Sequence, residues 1–444
     1  MPGRKKSGTV PLLQVLILLG LIGFLLGRFS LQRSYEQYPP LPRSVDVIVL
    51  GSGITGATAA LSAAETGVDV FYLYQDEPDK AGFPAFSPAF WVSGAPVQQE
   101  TELNYPAETM AAAIYRRSQE TGDVNHILSF SAHTSSSLAW LETVTEVPFS
   151  VFAEPESNPG LLLPKQGEAA VFVYQTLMEQ VAVSVVESSS AMQPVQLLIQ
   201  NGQVQGLVVQ TADGEQLKIF APAIILADGG YGSNQALLEE LAGISEVTPR
   251  LEGGHHGTGL LLAIATGAKT SYLDSVTLLP VFLPAGEPVT QEAFPAAVVL
   301  NARREKVALG EDLAQTILEA GGRLFIIHGS QKPQTGRNFN QLDDLQSLAS
   351  GLGLELEKAA ALVEELTAPY FVAVAATVAL TPGGLVVDRQ MRVLAADGAV
   401  GGLYAAGEIT AGLHGNRAIS SLFFSEAITT ARIAGEQAAA WARK

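Results

Sequence analysis

The segment GLYAAGEITAGLHGNRAISSLFFSEAITTARIAG, residues Gly402–Gly435, carries the clearest structural signal of this chain. It predicts a short strand at Leu403–Ala406, a Gly-Glu turn at Gly407–Glu408, a glycine-rich loop and a final helix. A glycine-lined approach to a helix N-terminus leaves room for a bulky anionic or polar group, which the N–H groups and the helix dipole attract. The sequence therefore predicts one wall of a ligand site in this segment.

A second segment, more than three hundred residues earlier, has the pattern that completes such a site. Val45–Leu50 predicts a buried strand, GSGITG at Gly51–Gly56 a tight turn, Ala57–Thr66 a helix and Val68–Tyr74 a second strand. In such a βαβ unit the three glycines allow the turn, the approach of a pyrophosphate and the packing of the helix on the sheet. Nucleotide binding is the prediction, and a purely structural turn is the alternative.

The composition limits the chemistry. A chain of 444 residues can bury a large core, and this length predicts more than one domain. The net charge of −18 argues against nucleic-acid binding, which needs a basic face. The absence of cysteine excludes disulfides, cysteine-ligated clusters, CxxCH haem attachment and a catalytic thiol. Redox chemistry would therefore need a bound organic cofactor, with electrons arriving from another molecule.

The N-terminal region predicts a membrane anchor. Residues 10–27 are apolar except for Gln14, follow a basic leader at residues 1–9, and precede a polar linker at residues 28–43. Such a run reaches the lower length limit for a helix that crosses a hydrocarbon core of about 30 Å. The leader favours an N-terminus inside and a body outside the cytoplasm. A cleaved signal peptide and a buried helix are the alternatives.

The middle of the chain predicts further parts of an α/β domain. Thr109–Leu141 has helical spacing of apolar residues, and Val204–Val209 with Gln216–Phe220 predicts an antiparallel hairpin. Ala223–Ala227 predicts another buried strand, and Gly257–Gly267 predicts a helix flanked by glycines. These elements extend the first βαβ unit.

A change in the sequence pattern then predicts an inserted domain. Pro280–Pro369 has few strand-like runs, and Leu342–Leu366 is predicted to be helical. The predicted domain limits are therefore residues 44–279 and 371–444 for the two parts of the nucleotide-binding domain and residues 280–370 for a cap.

Together these segments resemble flavoproteins of the fumarate reductase/succinate dehydrogenase family. GLYAAGE matches that family closely, and AIILADGGYGSN at Ala223–Asn234 looks like its strand beneath the nucleotide, with Asp228 where a threonine is usual. The resemblance implies an α/β fold, in which a Rossmann-like FAD-binding domain carries an inserted α+β capping domain. With the N-terminal transmembrane helix, this is the expected fold class.

The resemblance also implies how FAD is held. The carboxylate of Glu408 would bond the ribityl chain, and the backbone of Ser420–Leu422 would approach the pyrimidine edge. The family register places Tyr74 where an acid usually binds the ribose, so Gln75 or Asp76 would substitute, or the ribose would be held less well. The loop Gly82–Gly94 has no histidine for a covalent bond, which implies non-covalent FAD. The candidate FAD-binding residues are Gly51, Gly53, Ile54, Thr55, Gly56, Gln75, Asp228, Gly229, Gly407, Glu408, Ser420, Ser421 and Leu422.

The substrate groups of the family are less complete here. Arg417 in HGNR resembles the family's substrate-clamping arginine in HGANR, one residue shortened. Leu380 replaces the histidine of the family's HTMGG, and Leu279–Pro280 replaces another histidine. The segment Asn301–Leu318 lacks the family's proton-donating Thr-Arg-Asp. Its Arg303 and Arg304 align with no such role.

Two histidines complete the candidate catalytic set with Arg417. His414 lies just before the Gly-Asn-Arg sequence and is predicted to face the flavin or the substrate. His256, in the pair His255–His256, could polarise a flavin carbonyl or donate a proton, and a hydrogen-bonded loop pair is the alternative. No metal site is expected.

The predicted function is that of a membrane-anchored FAD-dependent oxidoreductase. It would transfer hydride or electrons between bound flavin and a small acceptor with a polar or carboxylate end. Fumarate reduction is not predicted, because most of the family's substrate groups are absent, so either the substrate differs or catalysis is weak or absent. A separate electron-transfer protein or a quinone would exchange electrons with it. The alternatives are a catalytically degenerate FAD-binding relative that acts as an electron-relay or assembly module, and an NAD-dependent dehydrogenase.

Overall fold

The structure of the protein is a computed structural model. It describes residues 44–74, 89–100, 102–151, 160–165, 170–184, 187–249, 254–283, 288–289, 298–310, 312–328, 340–341, 345–362 and 370–444. The predicted leader, anchor and linker at residues 1–43 lie outside these ranges, as do Gln75 and Asp76. Among the helices in these ranges, none has both the length and the apolar character needed to cross a bilayer.

The strands are numbered in chain order. They are β1 (Val47–Leu50), β2 (Val70–Leu73), β3 (Phe90–Trp91), β4 (Phe149–Val151), β5 (Leu161–Pro164), β6 (Glu187–Ser189), β7 (Gln193–Gln200), β8 (Gln203–Gln210), β9 (Gln216–Phe220), β10 (Ala223–Leu226), β11 (Thr270–Ser271), β12 (Thr277–Leu283), β13 (Val298–Leu300), β14 (Arg323–His328), β15 (Asn340–Gln341), β16 (Tyr370–Leu380), β17 (Gly384–Leu385), β18 (Arg392–Ala395) and β19 (Gly398–Ala405).

The helices are numbered in the same way. They are α1 (Ile54–Ala64), α2 (Pro96–Glu100), α3 (Ala107–Arg117), α4 (Val124–Thr145), α5 (Ala170–Ser184), α6 (Gln235–Ala242), α7 (Thr258–Ile264), α8 (Leu313–Glu319), α9 (Leu345–Leu352), α10 (Leu356–Leu362) and α11 (Phe423–Ala442). Short 3-10 helices cover Gly407–Ile409 and Ser420–Leu422.

The largest sheet within the described ranges confirms the predicted α/β domain. Its strands run in the order β6-β2-β1-β10-β19-β8-β7, with β18 beside β19 and β9 beside β8. Strand β1 pairs in parallel with β2 and β10, and β10 pairs in parallel with β19. Leu50 lies opposite Leu226, which lies opposite Ala405. The loops after β1, β10 and β19 therefore leave the same edge of the sheet.

The final helix packs directly on the first one. Helices α1 and α11 are in contact, and a Cβ atom on Gly435 of α11 would lie 2.7 Å from the carbonyl oxygen of Ala59 and 3.0 Å from the backbone nitrogen of Ala63. Glycine at this position therefore sets how closely the two helices approach.

The inserted region has more β-structure than its sequence indicates. Strands β12, β16, β14 and β13 form an antiparallel sheet in that order, with β15 beside β16. Among its described residues, the segment Pro280–Pro369 contains the end of β12 and the short strands β13, β14 and β15, whereas the long, alanine-rich strand β16 follows it and was not predicted. In the predicted helical segment Leu342–Leu366, α9 and α10 are separated by residues 353–355. The exact domain limits stay a prediction.

A substitution tests the contact between α1 and α11. Gly435→Leu is expected to lower the free energy of unfolding by about 1–3 kcal/mol, because backbone atoms of α1 must move and this outweighs the gain of about 1 kcal/mol in helix propensity. Ala440→Leu places the same side chain at an exposed position of α11 and is the control. Equal unfolding curves for the two variants in urea would contradict the close crossing.

Candidate functional site

The turn after β1 has the geometry of a phosphate-binding turn. A Cβ atom on Gly51 would lie 2.0 Å from the carbonyl oxygen of Ala227, and one on Gly56 would lie 2.1 Å from the carbonyl oxygen of Gly51. Among the described residues, a Cβ atom on Gly53 would meet nothing within 4 Å. Gly53 is also the N-cap residue of α1, and no side chain caps it. Open space at an uncapped helix N-terminus fits a pyrophosphate group.

The Gly-Glu turn after β19 lies against this helix. A Cβ atom on Gly407 would lie 2.7 Å from the Oγ1 atom of Thr55, and the backbone of Gly407 has a φ of 70°. The N–H group of Gly407 donates to the Oγ1 atom of Thr430 on α11 at 2.9 Å. The two remote segments therefore meet at one sheet edge, whereas the cofactor contacts predicted for Ile54 and Thr55 stay predictions.

The carboxylate of Glu408 is held in place by protein donors. Its Oε1 atom accepts from the backbone N–H and the Oγ1 hydroxyl of Thr381, at 3.0 and 3.1 Å. Its Oε2 atom lies 3.2 Å from the Nδ1 atom of His255. A Cβ atom on Gly230 would lie 2.6 Å from Oε1. The turn thus presents a fixed, mostly buried carboxylate beside the glycines that follow β10.

Asp228 supplies a second buried carboxylate. Its Oδ2 atom accepts from the N–H group of Gly259, in the first turn of α7, at 2.7 Å. Its Oδ1 atom is buried and has no hydrogen-bond partner in the part of the chain that the structure describes. Burial raises the pKa of Asp228 to about 6, although the bond from Gly259 opposes that shift. Because this oxygen is buried against Gly259, it is not open to a ligand here, and the cofactor contacts predicted for Asp228 and Gly229 stay predictions.

The two adjacent histidines differ in their known contacts, and His255 contacts Glu408. His255 has a φ of 59°, and its Nδ1 atom also lies 3.3 Å from the backbone nitrogen of Gly230. His256 is exposed, and its carbonyl oxygen accepts from the Nδ2 atom of Asn234. The catalytic role predicted for His256 stays a prediction.

His414 lies inside the protein. Its Nδ1 atom accepts from the N–H group of Ile419 at 3.0 Å, so its Nε2 atom carries the proton and donates to the Oε2 atom of Glu426 at 2.9 Å. Both ring nitrogens are therefore used by the protein, and the ring is buried. This arrangement favours a positioning role for His414 in its loop over the predicted role in catalysis.

Arg417 and the residues after it lie at the surface end of this loop. Arg417 and Ser420 are exposed, Ser421 is half-buried, and Leu422 is buried just before α11. An exposed guanidinium can bind an anion that enters from solvent. The flavin contacts predicted for Ser420, Ser421 and Leu422 stay predictions.

Arg304, which could not be aligned with the proton-donating arginine of the family, makes several contacts within the inserted region. Its Nε atom donates to the carbonyl oxygen of Leu352 at 2.6 Å, and its Nη1 atom donates to that of Ala302 at 2.8 Å. Its guanidinium also lies over the ring of Phe325, 3.7 Å from the centroid. Burial and the nearby charge of Arg323 lower the pKa of Arg304. These contacts indicate a structural role inside the inserted region.

The sequence analysis selects neither Thr381 nor His255, and both residues contact Glu408. Thr381 follows the position of the lost family histidine, so the signal for it was present in the segment Leu380–Gly384. The side chains of adjacent histidines point apart, and the sequence has no signal that tells which one turns inward. Within the described ranges, no group of three or more His, Asp or Glu side chains could hold a metal ion.

Comparisons with known proteins identify the relatives of this chain. A model of the FAD binding domain family matches residues 46–423. Fumarate reductase (cytochrome) of Shewanella frigidimarina is 23% identical over 90% of this chain and 78% of its own length. NADH:acrylate oxidoreductase of Vibrio harveyi is 24% identical over 71% of this chain, but only 37% of its own length.

A solved structure has the same fold. The open conformation of a flavocytochrome c3 fumarate reductase aligns with a TM-score of 0.74 at 20% identity, covering 99% of this chain and 83% of that one. At this identity the likeness concerns the fold alone.

The buried carboxyl group of Asp228 predicts a pH-dependent stability. Its pKa in the folded state, about 6, lies above the ordinary value of 3.8, so its contribution to stability is full below that ordinary value and is lost as the pH rises through about 6. For flavin-free protein, the free energy of unfolding should fall by about 1.4 kcal/mol more between pH 5 and pH 7.5 in the wild type than in Asp228→Asn. Urea unfolding at both pH values measures this, and equal pH slopes would contradict the assignment.

Proposed function

The chain belongs to the FAD binding domain family and is an FAD-dependent oxidoreductase, and from this we propose that it reduces a small acceptor bearing a carboxylate. The observation that carries the proposal is the meeting of the Gly51–Gly56 turn, the Asp228–Gly230 segment and the Gly407–Glu408 turn at one sheet edge. These three chain segments bring open space, a helix N-terminus and the carboxylate of Glu408 to one place, which suits one extended ligand.

The residues present fit FAD. The space at Gly53, at the N-terminus of α1, would receive the pyrophosphate. Glu408, fixed by Thr381, could accept from a hydroxyl group of the ribityl chain. FAD, when bound, supplies the exchange of hydride or electrons, and the protein supplies binding and orientation. Non-covalent attachment is part of the proposal.

Arg417 is the reason why we propose a carboxylate group on the acceptor. It is exposed in the loop that leads to α11, and charge-assisted bonds from an arginine fork suit the two oxygens of a carboxylate. Fumarate and acrylate, which the names of the relatives give, both carry such a group. We do not assign a proton donor, since the family's histidine position holds Leu380 and Arg304 is engaged elsewhere.

Electron supply and location complete the proposal. Because the sequence has no cysteine for a cluster or an attached haem, we propose that a separate redox protein or a quinone reduces the flavin.

The apolar run at residues 10–27 supports a single-pass membrane anchor with the flavin domain outside the cytoplasm.

A flavin spectrum and an acceptor screen test the proposal. The purified protein is expected to be yellow, and its chemically reduced form is expected to be reoxidised without oxygen by at least one acceptor among fumarate, acrylate and other enoates. Bound FAD that none of these compounds reoxidises would contradict the acceptor class and favour the electron-relay alternative.

The open space at Gly53 allows FAD binding to be removed without loss of the fold. Gly53→Val should leave the unfolding free energy of the flavin-free protein within about 0.5 kcal/mol of the wild type, because its side chain enters open space. The same side chain should raise the dissociation constant for FAD by about tenfold or more, equal to about 1.4 kcal/mol. Fluorescence titration with FAD measures this, and unchanged affinity would place the pyrophosphate elsewhere.

Replacing Arg417 tests the acceptor clamp. Arg417→Ala is expected to raise KM for a carboxylate acceptor by roughly 10–100-fold, since a bond to a charged group contributes about 1.5–3 kcal/mol. Arg443→Ala, at the other end of α11 and about 30 Å away by helix rise, removes an equal charge and is the control. Steady-state kinetics in which the two variants behave alike would exclude Arg417 from the site.

A further inference from the structure

The turn between α3 and α4 is joined to the loop that carries Arg417. The N–H group of Asp123 donates to the carbonyl oxygen of Gly412 at 2.8 Å, and the N–H group of Asn416 donates to the Oγ1 atom of Thr121 at 3.1 Å. The hydroxyl group of Tyr272 donates to the carbonyl oxygen of Thr121 at 2.8 Å. The C-terminal end of α3 is thereby placed beside residues 412–421.

Arg117, the last residue of α3, is oriented by this loop. Its Nη1 atom donates to the Oγ atom of Ser421 at 3.3 Å. Its guanidinium carbon lies 4.8 Å from the centroid of the Trp91 ring, which is fully buried. The residue as a whole remains exposed. Arg117 thus presents a permanent positive charge beside Ser421, which follows Arg417 in the loop by four residues.

A helix-end effect alone does not account for this placement. Arg116 and Arg117 both lie in the last turn of α3, where cations interact favourably with the helix dipole. That interaction would act on both residues alike and needs neither the ring of Trp91 nor the hydroxyl of Ser421. The contacts that orient Arg117 tie it to the loop of the proposed acceptor site.

We propose that Arg117 is a second acceptor-binding residue, which holds a carboxylate together with Arg417. Leu380 and Leu279–Pro280 stand where the resemblance implies histidines, so the positive charge expected from those two segments is missing. Arg117 supplies positive charge from α3 instead, with a planar fork that suits carboxylate oxygens. This inference rests on the proposed function and adds a specificity residue to it.

The experiment uses the full chain with FAD bound and titrates fumarate and acrylate, following the perturbation of the flavin absorbance. Arg117→Gln is expected to raise the dissociation constant and KM for fumarate by about 10-fold or more, the size expected for a bond to a charged group. Arg117→Lys should recover part of the loss, because it keeps the charge without the fork. Arg116→Gln, which removes a neighbouring arginine, should stay within about twofold of the wild type, as surface substitutions usually do.

The outcomes separate this inference from the proposed function. Equal effects of Arg117→Gln and Arg116→Gln, with wild-type protein that binds fumarate, would overturn the role of Arg117 alone. Wild-type protein that neither binds nor reduces fumarate or acrylate would overturn the acceptor class and the inference together. Loss of FAD from Arg117→Gln, or a shift of its flavin midpoint potential, would also overturn the inference, because an acceptor-binding arginine requires neither.

Discussion

The parallel register of β1, β10 and β19 is the constraint on which the site depends. Because Leu50, Leu226 and Ala405 lie opposite one another, three loops that are far apart in sequence must leave the sheet at one edge. The packing of Gly51 against Ala227, and of Gly407 against Thr55, leaves little freedom in how these loops meet. The site is therefore a product of strand pairing, and its local motifs only decide what chemistry is offered there.

Much of the fold was predictable because its signals are local and repetitive. The apolar runs at β1, β2 and β10, the hairpin of β8 and β9, and the glycine turns each have a direct physical cause in the residues themselves. The inserted sheet was not predictable, because its strands pair only with partners distant in sequence and one of them is rich in alanine. Strand formation there depends on tertiary pairing more than on intrinsic propensity.

The candidate site was predictable as a set of segments but not as a set of contacts. The sequence marks Glu408 and the loop with Arg417, yet it cannot tell that His255 turns toward Glu408 or that Asp228 bonds the first turn of α7. The sequence also does not show that His414 points inward, because its partner Glu426 lies 12 residues further along the chain. Side-chain orientation at these positions follows from backbone conformation, which single residues do not specify.

The contact of Gly435 with the backbone of α1 has a consequence for synthesis of the protein. The nucleotide turn leaves the ribosome more than three hundred residues before the helix that packs on it. At elongation rates of about 5–20 residues per second, that separation corresponds to tens of seconds in which the nascent first βαβ unit lacks its packing partner. The cofactor would then bind only in the last stage of maturation. Chaperones would have most opportunity to act on the nascent chain before α11 has been synthesised.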